Sequence, residues 1–113
     1  MKTIIAGSRD VTDYKLVEKA IVDSGFDITE VICGCARGVD TLGEQWGKIN
    51  NIPVKLFPAD WTLYGKSAGY KRNVQMADNA DALIAVSLNN SKGTGHMIDI
   101  AKNKGLKVFV VNV

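Results

Sequence analysis

Five short apolar runs constrain this chain more than any other feature: Thr3–Ala6, Val31–Cys33, Val54–Phe57, Ala82–Val86 and Val108–Val111. Each is nearly continuous rather than alternating, which is the pattern of strands buried on both faces of a parallel sheet. Their starts are separated by 23 to 28 residues, close to the ~30 residues of a strand-helix-strand unit. The segments between them carry helical spacing. Thr12 with Asp13 offers an N-cap and a first-turn acid, Leu16, Val17, Ala20 and Ile21 form one apolar stripe, and Gly25 ends it. Val39, Leu42, Trp46 and Ile49 recur before Pro53; Val74, Met76, Ala77 and Ala80 suggest a third helix; Met97, Ile98 and Ala101 suggest a fourth, stopped by Gly105. The expected fold is α/β: one doubly wound, parallel sheet of five strands in the order 3-2-1-4-5, with helices on both faces. Only Pro58–Gly69 lacks periodicity, and it is expected to be a functional loop or a lid over the sheet end.

Size and composition agree with one domain over residues 1–113. Hydrophobic residues make up 46% and charged residues 23%, as in ordinary globular domains, which excludes a disordered tail or a disulfide-rich miniprotein. Lys plus Arg (14) against Asp plus Glu (12) leaves a net charge of +2. That argues against a broad nucleic-acid surface and permits a local basic pocket. No apolar run approaches the ~20 residues of a membrane span, so no membrane partner is expected. Met1–Gly7 is too short an apolar stretch for a signal peptide and reads as the first strand, making a cytoplasmic location the expectation. Cys33 and Cys35 are too close for a disulfide framework and lack a second pair for zinc, and His96 is a lone histidine. Neither a metal nor a cofactor is expected.

In open α/β sheets, ligands bind beyond the carboxyl ends of the strands. The segments that fall there are rich in polar groups and glycine: Gly7-Ser8-Arg9-Asp10, Gly34-Cys35-Ala36-Arg37-Gly38-Val39-Asp40, Ala59-Asp60-Trp61 through Lys66 to Asn73, and Ser87 through Asn90 to His96. All three arginines of the chain, Arg9, Arg37 and Arg72, lie in these segments. A guanidinium is a planar fork of donors suited to phosphate. Gly93-Thr94-Gly95 at a helix start would expose backbone N–H groups to an anion and add a hydroxyl. Trp61 or Tyr64 could stack on a base. Neither a P-loop nor a Gly-x-Gly-x-x-Gly fingerprint after the first strand is present. Asp40 is expected to orient Arg37 or to cap its helix, and no Ser-His-Asp set is evident.

At these residues the sequence resembles the SLOG superfamily of Rossmann-like proteins, with Lonely-guy phosphoribohydrolases and DprA-type DNA-processing proteins among its members. The YspA-related branch is the nearest in pattern. The resemblance rests on Gly7-Ser8-Arg9-Asp10, Gly34–Thr41, Phe57–Trp61, Gly65–Gly69, Arg72-Asn73 with Met76, and Gly93–Met97. It implies a nucleotide-derived ligand bordered by Gly7, Ser8, Arg9, Gly34, Ala36, Arg37, Gly38, Asp40, Trp61, Lys66, Arg72 and Asn73, with Gly93, Thr94 and Gly95 holding phosphate. Lonely-guy enzymes carry Gly-Gly-x-Gly-Thr-x-x-Glu. Aligning Gly93-Thr94 with that motif puts Met97 at the Glu and Asn90-Ser91 at the first glycines. Asp99 lies two residues further on, rotated by about 200° on a helix. A binding module that senses or sequesters a nucleotide-derived ligand is therefore the leading expectation. The alternatives are a hydrolase cleaving the N-glycosidic bond of a nucleoside monophosphate, with Arg72 and Asp60 as candidate catalytic residues, and DprA-like binding of single-stranded nucleic acid through Lys66, Tyr70, Lys71, Arg72 and Trp61. The relatives' dimers and the short chain also imply a homodimer.

Overall fold

Burial on both faces of the central strands organises the molecule. A computed structural model describes residues 1–89 and 91–113; Asn90, aligned above with a motif glycine, lies outside them. The strands are β1 (Lys2–Gly7), β2 (Glu30–Cys33), β3 (Val54–Leu56), β4 (Ala82–Ser87) and β5 (Lys107–Asn112). The helices are α1 (Tyr14–Ser24), α2 (Val39–Ile49), α3 (Trp61–Tyr64), α4 (Ala68–Asp78) and α5 (Lys92–Asn103). All strand pairs are parallel and the order is β3-β2-β1-β4-β5, the order expected from the spacing of the runs.

Successive residues of β1 face opposite sides. Ile4 and Ala6, with Ile32, Leu83 and Ala85, pack against Met76 and Ala77 of α4 and Met97, Ile100 and Ala101 of α5. Ile5, with Val31, Cys33, Ile84 and Val86, packs against Val17, Ala20 and Ile21 of α1 and Val39 of α2. Every residue of β4 is buried, which is why its run carries no polar alternation. The N-cap of α1 falls one residue later than expected, on Asp13 instead of Thr12: Asp13 accepts from the N–H of Lys15, while Gly25 closes α1 as expected, in the left-handed region at φ 68°.

Two expectations need correction. For α2 the stripe Val39-Leu42-Trp46-Ile49 holds only in part: Val39 is buried and Leu42 and Trp46 pack half-buried against the same core, but Ile49 does not join them. The buried positions of this helix are Val39, Asp40, Gly43 and Gly47, while Ile49 is 62% exposed. A Cβ on Gly43 would lie 2.6 Å from Ile5 Cγ2 and one on Gly47 2.7 Å from Val54 Cγ2, so the glycines let this helix approach the strands. Pro58–Gly69 is also not an irregular loop. Asp60 accepts from the N–H of Leu63 at 2.9 Å and caps α3, a 3-10 turn spans Gly65–Ser67, and α4 follows at Ala68. Among the described residues, no helix is long and apolar enough to cross a membrane.

Candidate functional site

The strand order reverses between β1 and β4, and the loops leaving these neighbouring strands diverge to opposite faces, opening a crevice. A cleft of about 740 Å³ occupies this place, a volume in the usual range for small-molecule sites. Its wall comes from the loops after β1, β2 and β4 and from the first turns of α3, α4 and α5. Arg9, Arg37 and Arg72 all line it, with Gly7, Ser8, Ala36, Asp40, Trp61, Asn73, Gly93 and Thr94. A side chamber of about 140 Å³ shares Arg9, Ala36, Trp61 and Arg72 and adds Gly34. Gly38, Lys66 and Gly95 line neither. Gly38 turns the chain at φ 79° directly against the Ser8 carbonyl; Lys66 sits on the exposed 3-10 turn; the Gly95 N–H already belongs to the α5 ladder through Ser91.

The wall residues have distinct duties. Ser8 Oγ donates to the Leu88 carbonyl at 3.3 Å and accepts from the Leu88 N–H at 2.7 Å. It ties the loops after β1 and β4 together. The Arg72 guanidinium donates to the Gly34 carbonyl. Gly34 is required for that approach, because a Cβ there would lie 2.5 Å from Arg72 Nη1 and 2.8 Å from Asp40 Oδ2. Arg37 and Asp10 form a loose ion pair at 3.9 Å, both largely exposed at the rim. The start of α5 carries no side-chain cap from Ser91. Its first amides, beside Lys92 and Gly93, therefore keep their capacity for an anion.

Asp40 is 5% exposed. Burial pushes its carboxyl up to about 6, against the opposing pull of Arg72 and of the backbone N–H groups of Ala36, Gly34 and Gly7. Its Oδ2 accepts from the N–H of Ala36 at 3.4 Å, so it braces the loop after β2 next to Arg72 instead of pairing with Arg37. Burial also raises the Cys33 thiol, in keeping with a core role. Asp60 lies outside the cleft, engaged in capping α3. Met97 is 1% exposed and packs in the core, so an apolar side chain stands where the Lonely-guy motif has glutamate. Asp99, on the exposed side of α5, is also absent from the cleft. Among the described residues no group of acidic, Cys and His side chains could hold a metal.

Tyr70, Asn89, Ser91, Lys92 and His96 also line the cleft; they fall in segments expected at the strand ends but were not singled out as residues bordering a nucleotide-derived ligand. Tyr70 and His96 stack across α4 and α5, with ring centroids 4.1 Å apart. Periodicity cannot reveal a pair on separate helices. Asn89 holds φ 56° just after β4, a left-handed conformation that Asn tolerates better than most residues.

Such a sheet, with a crevice at its switch point lined by more cations than carboxylates, defines the Rossmann-like class of folds, which is consistent with nucleotide-related binding in general. Within that class, the sequence model of the YspA, cpYpsA-related SLOG family matches residues 1–64, and the chain belongs to this family. The matched span runs from β1 through α3 and so includes Arg9, Arg37 and Asp40. The chain is also similar to Gene 61 protein of Mycobacterium phage D29. The two are 33% identical over 118 aligned residues, which cover 96% of this chain and 94% of the phage protein. No solved structure matches the chain.

Proposed function

We propose that this protein binds a phosphorylated nucleotide or nucleotide-derived ligand beyond the carboxyl ends of β1, β2 and β4, and that it senses or sequesters that ligand without cleaving it. One observation carries the reading: three arginines, two from the loops after β1 and β2 and one from α4, line one cleft that also receives the start of α5, which Ser91 does not cap. With Lys92 the wall has four cations against two carboxylates, Asp10 and Asp40. Guanidinium forks and helix N-terminal amides both recognise phosphate, and Trp61 and Tyr70 in the same wall offer faces for a base.

Binding is favoured over hydrolysis by what the carboxylates already do. Asp10 pairs with Arg37, Asp40 braces backbone amides beside Arg72, and Asp60 caps a helix outside the cleft. Met97 supplies no carboxylate where the related hydrolases use one.

Mass spectrometry of small molecules released from natively purified protein tests this. The expected result is an intact phosphorylated nucleoside derivative that is lost on Arg72→Ala. Release of free base from added nucleoside monophosphates by the pure protein would contradict the binding-only reading and favour the hydrolase.

A further inference from the structure

The cleft wall contains a hydrogen-bonded chain whose polarity follows from its donors and acceptors. It starts at the Gly34 carbonyl, which accepts from the Arg72 guanidinium. Arg72 Nε–H also donates to Asn73 Oδ1 at 3.2 Å. A guanidinium has donors only, so this contact turns the amide oxygen of Asn73 toward Arg72 and its NH₂ toward α5. There Asn73 Nδ2 lies 3.0 Å from His96 Nδ1. An amide NH₂ only donates, so His96 Nδ1 must accept, and the ring proton resides on Nε2. Asn73 is 8% exposed, which keeps its amide from turning to solvent.

His96 Nε2 is buried and has no hydrogen-bond partner among the described residues. The same holds for Thr94 Oγ1, two residues earlier on α5. Both residues line the cleft, and the His96 ring packs against Tyr70. Buried polar atoms in folded proteins nearly always have partners, and exceptions call for a functional explanation. Both exceptions fall within the first five residues of α5, whose start carries no side-chain cap.

We infer that His96 is a specificity-determining donor: Arg72 and Asn73 hold its ring as the Nε2–H tautomer, and that N–H takes a phosphoryl oxygen of the ligand near the start of α5. The inference rests on the nucleotide-binding reading and narrows it. The ligand must present an acceptor at this point. Arg72 and Asn73 act on the ligand partly through His96, as positioning residues.

His96 is the only histidine of the chain, so its ring nitrogens can be read in the full ¹⁵N-labelled protein without ambiguity. The free protein is expected to show an unprotonated Nδ1 and a protonated Nε2, and Asn73→Asp should move the proton to Nδ1. AMP and inorganic phosphate should each shift the Nε2–H signal, while adenosine should leave it in place. His96→Phe should weaken AMP binding about tenfold, the worth of one hydrogen bond to a charged group, and His96→Gln should restore part of that loss. A proton on Nδ1 in the free protein, or a tautomer indifferent to Asn73→Asp, overturns the inference. So does AMP binding that shifts the Gly93 and Thr94 amides and leaves the His96 ring unchanged, and in that case the nucleotide-binding reading stands. An equal response to adenosine assigns the acceptor to the nucleoside and overturns the phosphoryl assignment. If no probe perturbs any residue of the cleft, the binding reading fails and the ligand half of this inference fails with it.

Discussion

Asp40 shows how one residue links the stability of the fold to the electrostatics of the cleft. Its carboxyl titrates near 6 in the folded chain, above the ordinary 3.8, chiefly because burial disfavours the charged form. A raised folded-state value means that the protonated form is the better tolerated one. Its contribution to stability is complete below about pH 4 and is lost as the pH rises through about 6, with each pKa unit worth about 1.4 kcal/mol. Thermal melts from pH 4 to 7 should therefore show wild type losing stability relative to Asp40→Asn as the pH rises. Parallel profiles for the two proteins would refute the assignment. The glycines give a sharper contrast. Gly34→Ala would push only against side-chain atoms, Arg72 Nη1 and Asp40 Oδ2. It should displace the arginine and weaken nucleotide binding with a modest effect on urea denaturation. Gly38→Ala meets the Ser8 carbonyl at 2.4 Å with φ at 79°. It should cost about 1–3 kcal/mol by the same denaturation, since neither backbone nor dihedral can yield cheaply.

Among the secondary elements, the strands and the first helix were legible because their signals are local. A continuous apolar run marks a doubly covered strand, and an Asp cap and a Gly stop bracket α1. The buried face of α2 was legible only in part: Val39, Leu42 and Trp46 marked it, but Gly43 and Gly47, which complete it, carry no hydropathy signal. Only the Cβ positions blocked by Ile5 and Val54 reveal why they are there. Gly43→Ala tests this packing. The gain in helix propensity is about 1 kcal/mol, while overpacking against the Cβ and Cγ2 of Ile5 costs about 1–3 kcal/mol. A net loss of stability in urea denaturation is expected, and a net gain would mean that the helix sits further from the sheet. Likewise α3 was hidden because one helical turn is too short to set up a period. Its only cue was Asp60 three residues before Leu63, which serves as the cap.

Over the whole molecule, the order of runs along the chain was enough to anticipate the sheet, since parallel strands with regular crossovers admit few topologies. The same topology explains why arginines at 9, 37 and 72 line one cleft: Arg9 and Arg37 leave the carboxyl ends of β1 and β2, and Arg72 lies on α4 in the crossover that follows β3. What stayed hidden was how the wall divides its labour. Ser8 serves as a clasp to Leu88, Asp40 as a brace beside Arg72, and His96 sits at the end of a chain that starts in another loop. These are contacts between residues 4 to 80 positions apart, and no motif encodes them.

The convergence of Arg9, Arg37 and Arg72 on one anion site is tested most directly by melting temperatures with and without AMP, GMP, CMP and UMP, recorded for wild type and for the three single arginine-to-alanine variants. Wild type should rise by more than about 4 °C for at least one nucleotide when it is in about 100-fold excess over Kd. Each variant should lose most of that rise, and the corresponding nucleoside should produce none. No rise with any nucleotide, or an equal rise in all three variants, would contradict the account.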